Sequence, residues 1–359
     1  MAEIHDSHLG CNAQNHPLHH THVPVAFAEI SCQSNNLHFN YDSNNKLTLS
    51  QYSPVMINNA VKIKSMETPP VCDYEGSDYQ DRFWEEGGRA YEDAAEAFAL
   101  KRLLPKNGKL LLELGAGAGR NTPRYKDFEQ ITLLDYSTTQ LEQAKARLGL
   151  QTRYRYVAAD VYRLPFAAAV FDAATMIRTL HHLSEPQLAL DQVSQCLASR
   201  ADFILEFANK RNLKAILRYW LGKQRWSPFT REAVEFIKLN FDFHPASMRE
   251  MLGKSGFLIE RQICVSHLRA GFFKKVLPLS LLKALEALMQ RAFSWTALTP
   301  SIFLKTKVAV EKQPAAAGEF FRCPACGHYP LADTPPLLTC KNCGQVYPVK
   351  DGIYDFRLK

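Results

Sequence analysis

Nowhere does this 359-residue sequence string together the eighteen or so apolar residues that a helix needs to cross a bilayer. Its N-terminus lacks the basic-then-apolar order of a secretion signal. The first arginine is Arg82, so an Arg-rich transit peptide is missing too. These absences lead to the expectation of a cytoplasmic protein. Disulfide chemistry is equally thin: of nine cysteines, five are scattered and four crowd near the C-terminus, which is not the spread of a disulfide framework. Two nucleotide signatures are missing as well. There is no Gly-Lys-Ser/Thr to cradle phosphates, and no intact G-x-G-x-x-G, because Arg120 stands where the third glycine belongs.

What is present suffices for a large core. Apolar residues make up 46% of the chain and aromatics 11%, enough for one α/β domain of about 200–250 residues with further pieces. Residues 1–65 differ from the rest: they hold seven of the twelve histidines, are rich in Asn and Ser, and keep no apolar period. Cys11, His16, His19, His20 and His22 match no defined metal spacing. The segment is expected to be disordered or the artefact of an upstream start, with Met66 the true start and residues 1–65 dispensable.

The most informative stretch is Leu110-Leu111-Leu112-Glu113-Leu114-Gly115-Ala116-Gly117-Ala118-Gly119-Arg120. A leucine-rich run closed by a carboxylate predicts a buried parallel strand. The alternating glycines let the chain turn sharply and bring backbone close to a ligand. Further apolar runs end in acids at the same place: Ile131–Leu134 before Asp135, twenty residues past Gly115, and Tyr154–Ala159 before Asp160. Val170–Ile177 predicts a fourth strand, Phe203–Phe207 a fifth, Phe257 the entry to a sixth and Ile302–Val308 the last. Helices are predicted near 90–103, 138–148, 185–197, 245–252 and 281–292, with Ala90, Ala94, Phe98 and Leu103 on the packed side of the first. The last, in an insertion over 272–299, is expected to cap the core through Leu281, Leu282, Leu285, Leu288, Met289 and Ala292, or else to shape an apolar lid or lie on lipid.

Glu-x-Gly-x-Gly-x-Gly, followed by Asp135 and Asp160 in order, resembles the class I S-adenosylmethionine-dependent methyltransferases over about residues 79–310, and is similar to the broad type 11 group that includes quinone-biosynthesis enzymes. The resemblance implies S-adenosylmethionine as cofactor, with contacts at Glu113, Gly115, Ala116, Gly117, Gly119, Asp135, Tyr136, Asp160, Val161 and Arg178. Asp135 would take the ribose hydroxyls and Asp160 the adenine amino group. Tyr79, Trp84, Arg89 and Tyr91, just before the first strand, would wall the sulfonium. Two details depart from the family: the helix opened by Asn121-Thr122-Pro123 is short, and Ser199-Arg200-Ala201-Asp202 stands where glycines are common.

The residues after the fourth strand set the acceptor. The Asn/Asp-Pro-Pro-Tyr of many base and amide methyltransferases is replaced by Arg178-Thr179-Leu180-His181-His182-Leu183, and no Pro-Cys or Thr-Cys pair offers a covalent route. His181 and His182 are therefore the candidate proton acceptors, with His181 favoured; catalysis otherwise needs alignment of nucleophile, methyl and sulfur. Residues 209–231 carry seven cations, no acid, and Tyr219, Trp220, Trp226 and Phe229, so they equal the whole chain's net charge of +7. Such a segment suits RNA, an anionic small molecule or a membrane surface, or else is a solvated face.

After a Pro/Ala/Gly linker at 311–319, Cys323-Pro324-Ala325-Cys326 and Cys340-Lys341-Asn342-Cys343 stand thirteen residues apart. Two C-x-x-C knuckles place Cys323, Cys326, Cys340 and Cys343 as the four thiolates of a closed, structural zinc site. With Val346–Ile353 they resemble the small zinc-ribbon protein that activates tRNA and translation-factor methyltransferases. The expected architecture is thus α/β: a Rossmann-like, seven-stranded, mostly parallel sheet with flanking helices over 66–310, and a small zinc ribbon over 320–359. Three functions stay open: methyl transfer to an oxygen or carbon of a small apolar or anionic metabolite, methylation of tRNA or rRNA, and a cofactor-binding scaffold without catalysis. Partners follow suit: a small molecule first, RNA or a peripheral membrane contact second.

Overall fold

The computed structural model describes residues 39–41, 47–49, 69–72, 75–76 and 88–358. Most of the N-terminal extension, with Tyr79 and Trp84, lies outside the described residues. The chain divides into two units, Met1–Met66 and Glu67–Lys359. In the first, Phe39–Tyr41 and Leu47–Leu49 pair antiparallel, Phe39 opposite Leu49. The second carries the glycine-rich turn and the cysteine pairs.

Its centre is a sheet whose leading strands are all parallel. β1 (Gly108–Leu114) lies between β2 (Phe128–Asp135) and β4 (Phe171–Met176); β3 (Tyr154–Ala158) flanks β2, and β5 (Leu197–Ala208) flanks β4. β7 (Ser301–Val308) runs antiparallel beside β5, and β6 (Phe257–Val265) antiparallel beside β7. These seven strands are in the order β6-β7-β5-β4-β1-β2-β3.

Side chains alternate between the sheet's two faces. Leu112 and Leu114 pack with helices α3 (Pro186–Cys196) and α5 (Pro245–Lys254), through Leu190, Val193, Met248 and Leu252. Leu111 packs the other way, with Ile131, Leu133 and with Leu141 and Ala144 of α2 (Thr138–Leu148). With both faces covered, the run is buried from Leu111 to Leu114, as a parallel strand requires. The expected short helix after the glycines is a single 3-10 turn, Thr122–Arg124.

Two helices are rotated from their expected orientation. α1 (Ala90–Leu103) buries Tyr91, Glu92, Ala95, Glu96, Ala99, Leu100 and Leu103 instead of the Ala90/Ala94/Phe98 stripe. α7 (Leu279–Ala292), entered through the short α6 (Gly271–Val276), buries Leu282, Glu286 and Gln290 and leaves Leu281 and Leu288 exposed. The cause is one set of polar contacts between α1 and α7. Glu286 accepts from the Tyr91 hydroxyl (2.6 Å) and from the amides of Ser266 (2.9 Å) and His267 (3.0 Å). Such buried bonds are costly to leave unmade, so they outweigh apolar periodicity.

The cysteine-bearing segment adds three strands to the same sheet. β10 (Ile353–Asp355) lies parallel to β3, with Ile353 opposite Tyr156 and Asp355 opposite Ala158; β9 (Val346–Lys350) and β8 (Leu337–Thr339) continue outward antiparallel. An open parallel edge is thereby covered within one chain. Residues 320–358 also share the core: Phe321, Leu331, Leu338, Tyr347 and Phe356 join the cluster of Phe166 and Phe171. The guanidinium of Arg155, on β3, sits 4.1 Å from the Phe320 ring centroid. A segment too small for its own core borrows one from its neighbour.

Candidate active site

The turn after β1 sets the site. Gly115, Gly117 and Gly119 all have positive φ. A Cβ on Gly115 would stand 2.0 Å from Thr179 Oγ1, so only glycine lets the turn approach the 178–183 segment. A Cβ on Gly119 would stand 2.9 Å from Leu148 Cδ1. Gly119 thus serves the packing of the turn on α2.

Beside this turn opens a cavity of about 1070 Å³, continuous with solvent. Of the residues expected to touch a cofactor, Glu113, Gly115, Ala116, Gly117, Asp135, Tyr136, Val161 and Arg178 line it, as does His182. Asp135 accepts from the Gly117 amide (2.8 Å) and the Ser137 amide (3.0 Å). Glu113 is buried and accepts from Thr122 Oγ1 at 2.6 Å. Burial pushes its carboxyl up to about 7 despite hydrogen bonds from Thr122 and Tyr125.

Asp160 lies on an adjoining, smaller cavity that shares Val71 and Tyr136 with the first and is completed by Arg163, Phe356 and Leu358. Its Oδ1 accepts from the Tyr162 amide (2.9 Å), and burial raises its pKa. The C-terminal tail therefore forms a wall next to Tyr136. The Phe356 amide donates to Ala158 O (2.8 Å), and Arg357 donates to Tyr136 O (3.3 Å) with its guanidinium 5.8 Å from the Tyr136 ring centroid. Arg357 also pairs with Glu75 (3.2 Å), which accepts from the first amides of α2 at Thr138 and Thr139.

A buried ion-pair latch holds the glycine turn to the fourth strand. Glu96 of α1 accepts from Arg120 (2.6 Å) and from Arg178, and Asp93 accepts from Arg120 and Arg124. Burial alone would raise the Glu96 pKa, but Arg178 and Arg120 outweigh it and hold the carboxyl below its ordinary range. Arg178 itself has φ +57, uncommon without glycine, and its amide is held by Glu206 Oε2 at 2.9 Å.

The two histidines sit on one 3-10 turn, Leu180–His182, with rings 4.1 Å apart, yet differ in role. His182 lines the cavity, and its Nδ1 lies 3.0 Å from Leu239 O. A carbonyl only accepts, so Nδ1 carries the proton and Nε2 the lone pair. Burial lowers the His182 pKa, keeping the ring neutral. His181 does not line the cavity; its Nδ1 is buried without a hydrogen bond among the described residues. Burial, then His182, Arg178 and Arg269, hold its pKa well below the usual value. On the neighbouring strand Asn240–Asp242, burial and then Glu206 push the Asp242 carboxyl up to about 7.

Sequence reasoning missed several of these groups. Tyr91 and Arg89 do not line the cavity: Tyr91 bonds Glu286, and Arg89 bonds Glu92. Of the groups sequence reasoning did not assign, Thr179 lines the cavity; Glu96, Leu239 and Arg357 lie outside its lining and act through contacts with Arg178, His182 and Tyr136. A carboxylate within the helical stretch of α1 was the one signal the sequence offered for Glu96.

The four cysteine sulfurs lie within 4.8 Å of one another, with Sγ–Sγ distances of 3.7 Å for Cys323–Cys343 and 3.6 Å for Cys326–Cys340. Tetrahedral zinc with bonds of about 2.3 Å sets thiolates about 3.8 Å apart, so the group fits such an ion. Each knuckle closes the same way: the Gly327 amide donates to Cys323 O, and the Gly344 amide to Cys340 O. Asn342 Nδ2 (3.5 Å from Cys326 Sγ) and the Tyr347 hydroxyl (3.0 Å from Cys323 Sγ) would steady the charge on sulfur.

Comparison with known proteins bears on this geometry. Residues 112–205 match the family described as "Methyltransferase domain" (Methyltransf_11). The chain is 30% identical over 172 residues to a demethylmenaquinone methyltransferase of Protochlamydia amoebophila, covering 41% of this chain and 69% of that one. It is 28% identical over 173 residues to the enzyme of the same name from Chlamydia pneumoniae, covering 44% and 74%. It is 33% identical over 101 residues to an O-methyltransferase of Penicillium expansum, covering 27% of this chain and only 37% of that one.

Proposed function

The chain belongs to the class I S-adenosylmethionine-dependent methyltransferases, and we propose that it methylates an oxygen or carbon of a small, largely apolar acceptor with His182 as proton acceptor. The observation that carries this is the His182 tautomer: the ring lines the cavity and spends Nδ1–H on Leu239 O, which puts the basic lone pair on Nε2. The relatives' names, O-methyltransferase and demethylmenaquinone methyltransferase, denote small-molecule acceptors of that chemistry.

Bound S-adenosylmethionine supplies an electrophilic methyl on a sulfonium. The residues do the remainder. Asp135 would take the ribose hydroxyls, and the glycine turn, with Glu113 and Thr122 beside it, would hold the methionine portion. Tyr136, steadied by Arg357, and Asp160 would receive the adenine. His182 Nε2 receives the proton that leaves the acceptor's hydroxyl or acidic carbon as the methyl arrives, and Leu239 O stabilises the imidazolium so formed. The Cys323, Cys326, Cys340 and Cys343 thiolates are proposed to hold a structural zinc with no open position. The segment they staple is similar to a methyltransferase-activating ribbon, carried here in cis.

Radiolabelled methyl transfer to a lysate fractionated into RNA, protein and organic-extractable metabolites tests the reading. Label is expected in the extractable fraction; label confined to RNA overturns it, and label in no fraction favours a scaffold. With that acceptor, His182→Ala should lower kcat by roughly 10²–10⁴-fold while calorimetric cofactor affinity stays unchanged. Wild-type kcat should fall as pH drops through the His182 pKa, below the ordinary 6.5, because the protonated ring can no longer accept. An acid limb that persists in His182→Ala would assign the proton to another group.

A further inference from the structure

Helix α4 (Leu213–Trp220) shows water a face that apolar residues normally hide. Its buried residues are Ala215 and Ile216. Leu213, Leu217, Trp220 and Leu221, at positions i, i+4, i+7 and i+8, form a single exposed stripe, Trp220 being 70% and Leu221 66% accessible. A second segment adds to it. The Asn209 side chain donates to Ala297 O (2.8 Å) and Thr299 O (2.7 Å), and the Leu213 amide donates to Leu298 O (2.8 Å). Residues 297–299 therefore run beside the start of α4, and just ahead of them stand the exposed Phe293 and Trp295, the latter 81% accessible.

Charge flanks the stripe. Arg211, Lys214 and Arg218 follow each other at i, i+3 and i+7, and Lys223, Arg225 and Arg231 come after the helix. Of the seven cations in 209–231 only Lys210 is buried, donating to Thr230 and Glu232. The segment contains no acid.

We propose that α4 and the adjoining 293–295 segment dock this enzyme on an anionic lipid bilayer. Leu213, Leu217, Trp220 and Leu221 would enter the interface, with Lys214, Arg218, Lys223 and Arg225 at the headgroups. A helix lying in the interface combines an apolar stripe, an interfacial tryptophan and cations alongside, which is the set present here. A nucleic acid would account for the cations and the tryptophan but gives no role to three aligned leucines. A second copy of the chain would bury the leucines but bring two sets of like charges together. The same insertion continues to Leu239, whose carbonyl orients His182, so the docked face and the acceptor's side of the cavity are parts of one chain segment.

Sedimentation of the full chain with phosphatidylcholine vesicles, with and without phosphatidylglycerol, tests this. Binding is expected to the anionic vesicles, to weaken in high salt, and to fall about tenfold or more in Leu217→Ala/Trp220→Ala. These side chains are exposed, so the variant should keep wild-type cofactor affinity, measured by calorimetry as a folding control. No binding to anionic vesicles at low salt overturns the proposal. So does vesicle binding that the variant leaves intact, or an equally salt-sensitive affinity for tRNA with none for vesicles. Concentration-dependent self-association abolished by the same variant, without vesicle binding, would assign the face to a second copy instead.

Discussion

The two walls of the cavity are built on different terms. On the proposed cofactor side two carboxylates are held by partners: Asp135 by the Gly117 and Ser137 amides, and Glu96 by Arg120 and Arg178. The histidines of the 178–183 turn, of which His182 lines the cavity, and the groups near them that do not line it are displaced from their ordinary titration by burial. His181 and His182 are pushed down, Glu206 and Asp242 up. A matched wall holds one ligand in one pose. Titratable groups shifted by burial around a cavity-lining histidine make the kind of site where proton transfer is tuned. The cofactor side also draws on the far end of the chain, through Phe356 and Arg357, whereas the acceptor side draws on the insertions between β5 and β7.

Removing the proposed zinc should have the largest effect and tests how far the cofactor wall depends on the cysteine-bearing segment. Structural zinc contributes on the order of 10 kcal/mol to small ribbon-like folds. Chelation, or Cys340→Ser, is therefore expected to unfold residues 320–358, uncover the β3 edge and release the Phe356–Ala158 bond. Hydrogen exchange should become fast at Tyr156 and Ala158, which face β10, while Val157, whose amide faces β2, and the amides of β1 stay protected. Protected Tyr156 and Ala158 amides after chelation would show that the shared core with Phe166 and Phe171 holds the segment without metal.

Asp135→Ala comes next and acts within the matched wall alone. It strips the partners of the ribose hydroxyls and leaves the Gly117 amide without its acceptor. Cofactor affinity should weaken by about 1–3 kcal/mol. Isothermal calorimetry reads this directly, and unchanged affinity would remove Asp135 from the site.

These two regions were unequally legible. The β1 run, the glycine turn and Asp135 are local: strand, carboxylate and glycine follow one another in sequence, so a period and a spacing suffice. The seven-stranded sheet followed from the same repetition. The four cysteines were equally local. Glu96 was not, because its arginine partners lie 24 and 82 residues away. Only those partners make Glu96 stable in its buried place on α1, while the Tyr91–Glu286 bond turns the helix away from its alanine stripe. α7 failed for the same reason, through Glu286. The histidine pair was visible, but which ring meets the cavity depends on Leu239, 57 residues on. That β10 would seat beside β3 was invisible too, since a short edge strand carries no mark of its partner.

Arg357 is the smallest and sharpest test of whether the tail belongs to the cofactor wall or only covers an edge. Its guanidinium meets Asp355, Glu75 and the Tyr136 carbonyl. The Glu75 carboxylate is about two-fifths exposed, so solvent screens that pair and its share is small. The Tyr136 contact is what positions the residue after Asp135. Arg357→Ala should then weaken cofactor affinity by about 0.5–1 kcal/mol, with the metal-binding stoichiometry unchanged. Glu75→Gln, which loses the charge but keeps an acceptor for the α2 amides, should cost less than Arg357→Ala. If Arg357→Ala binds cofactor as wild type does, the tail serves the sheet edge alone, and the cofactor wall ends at Tyr136.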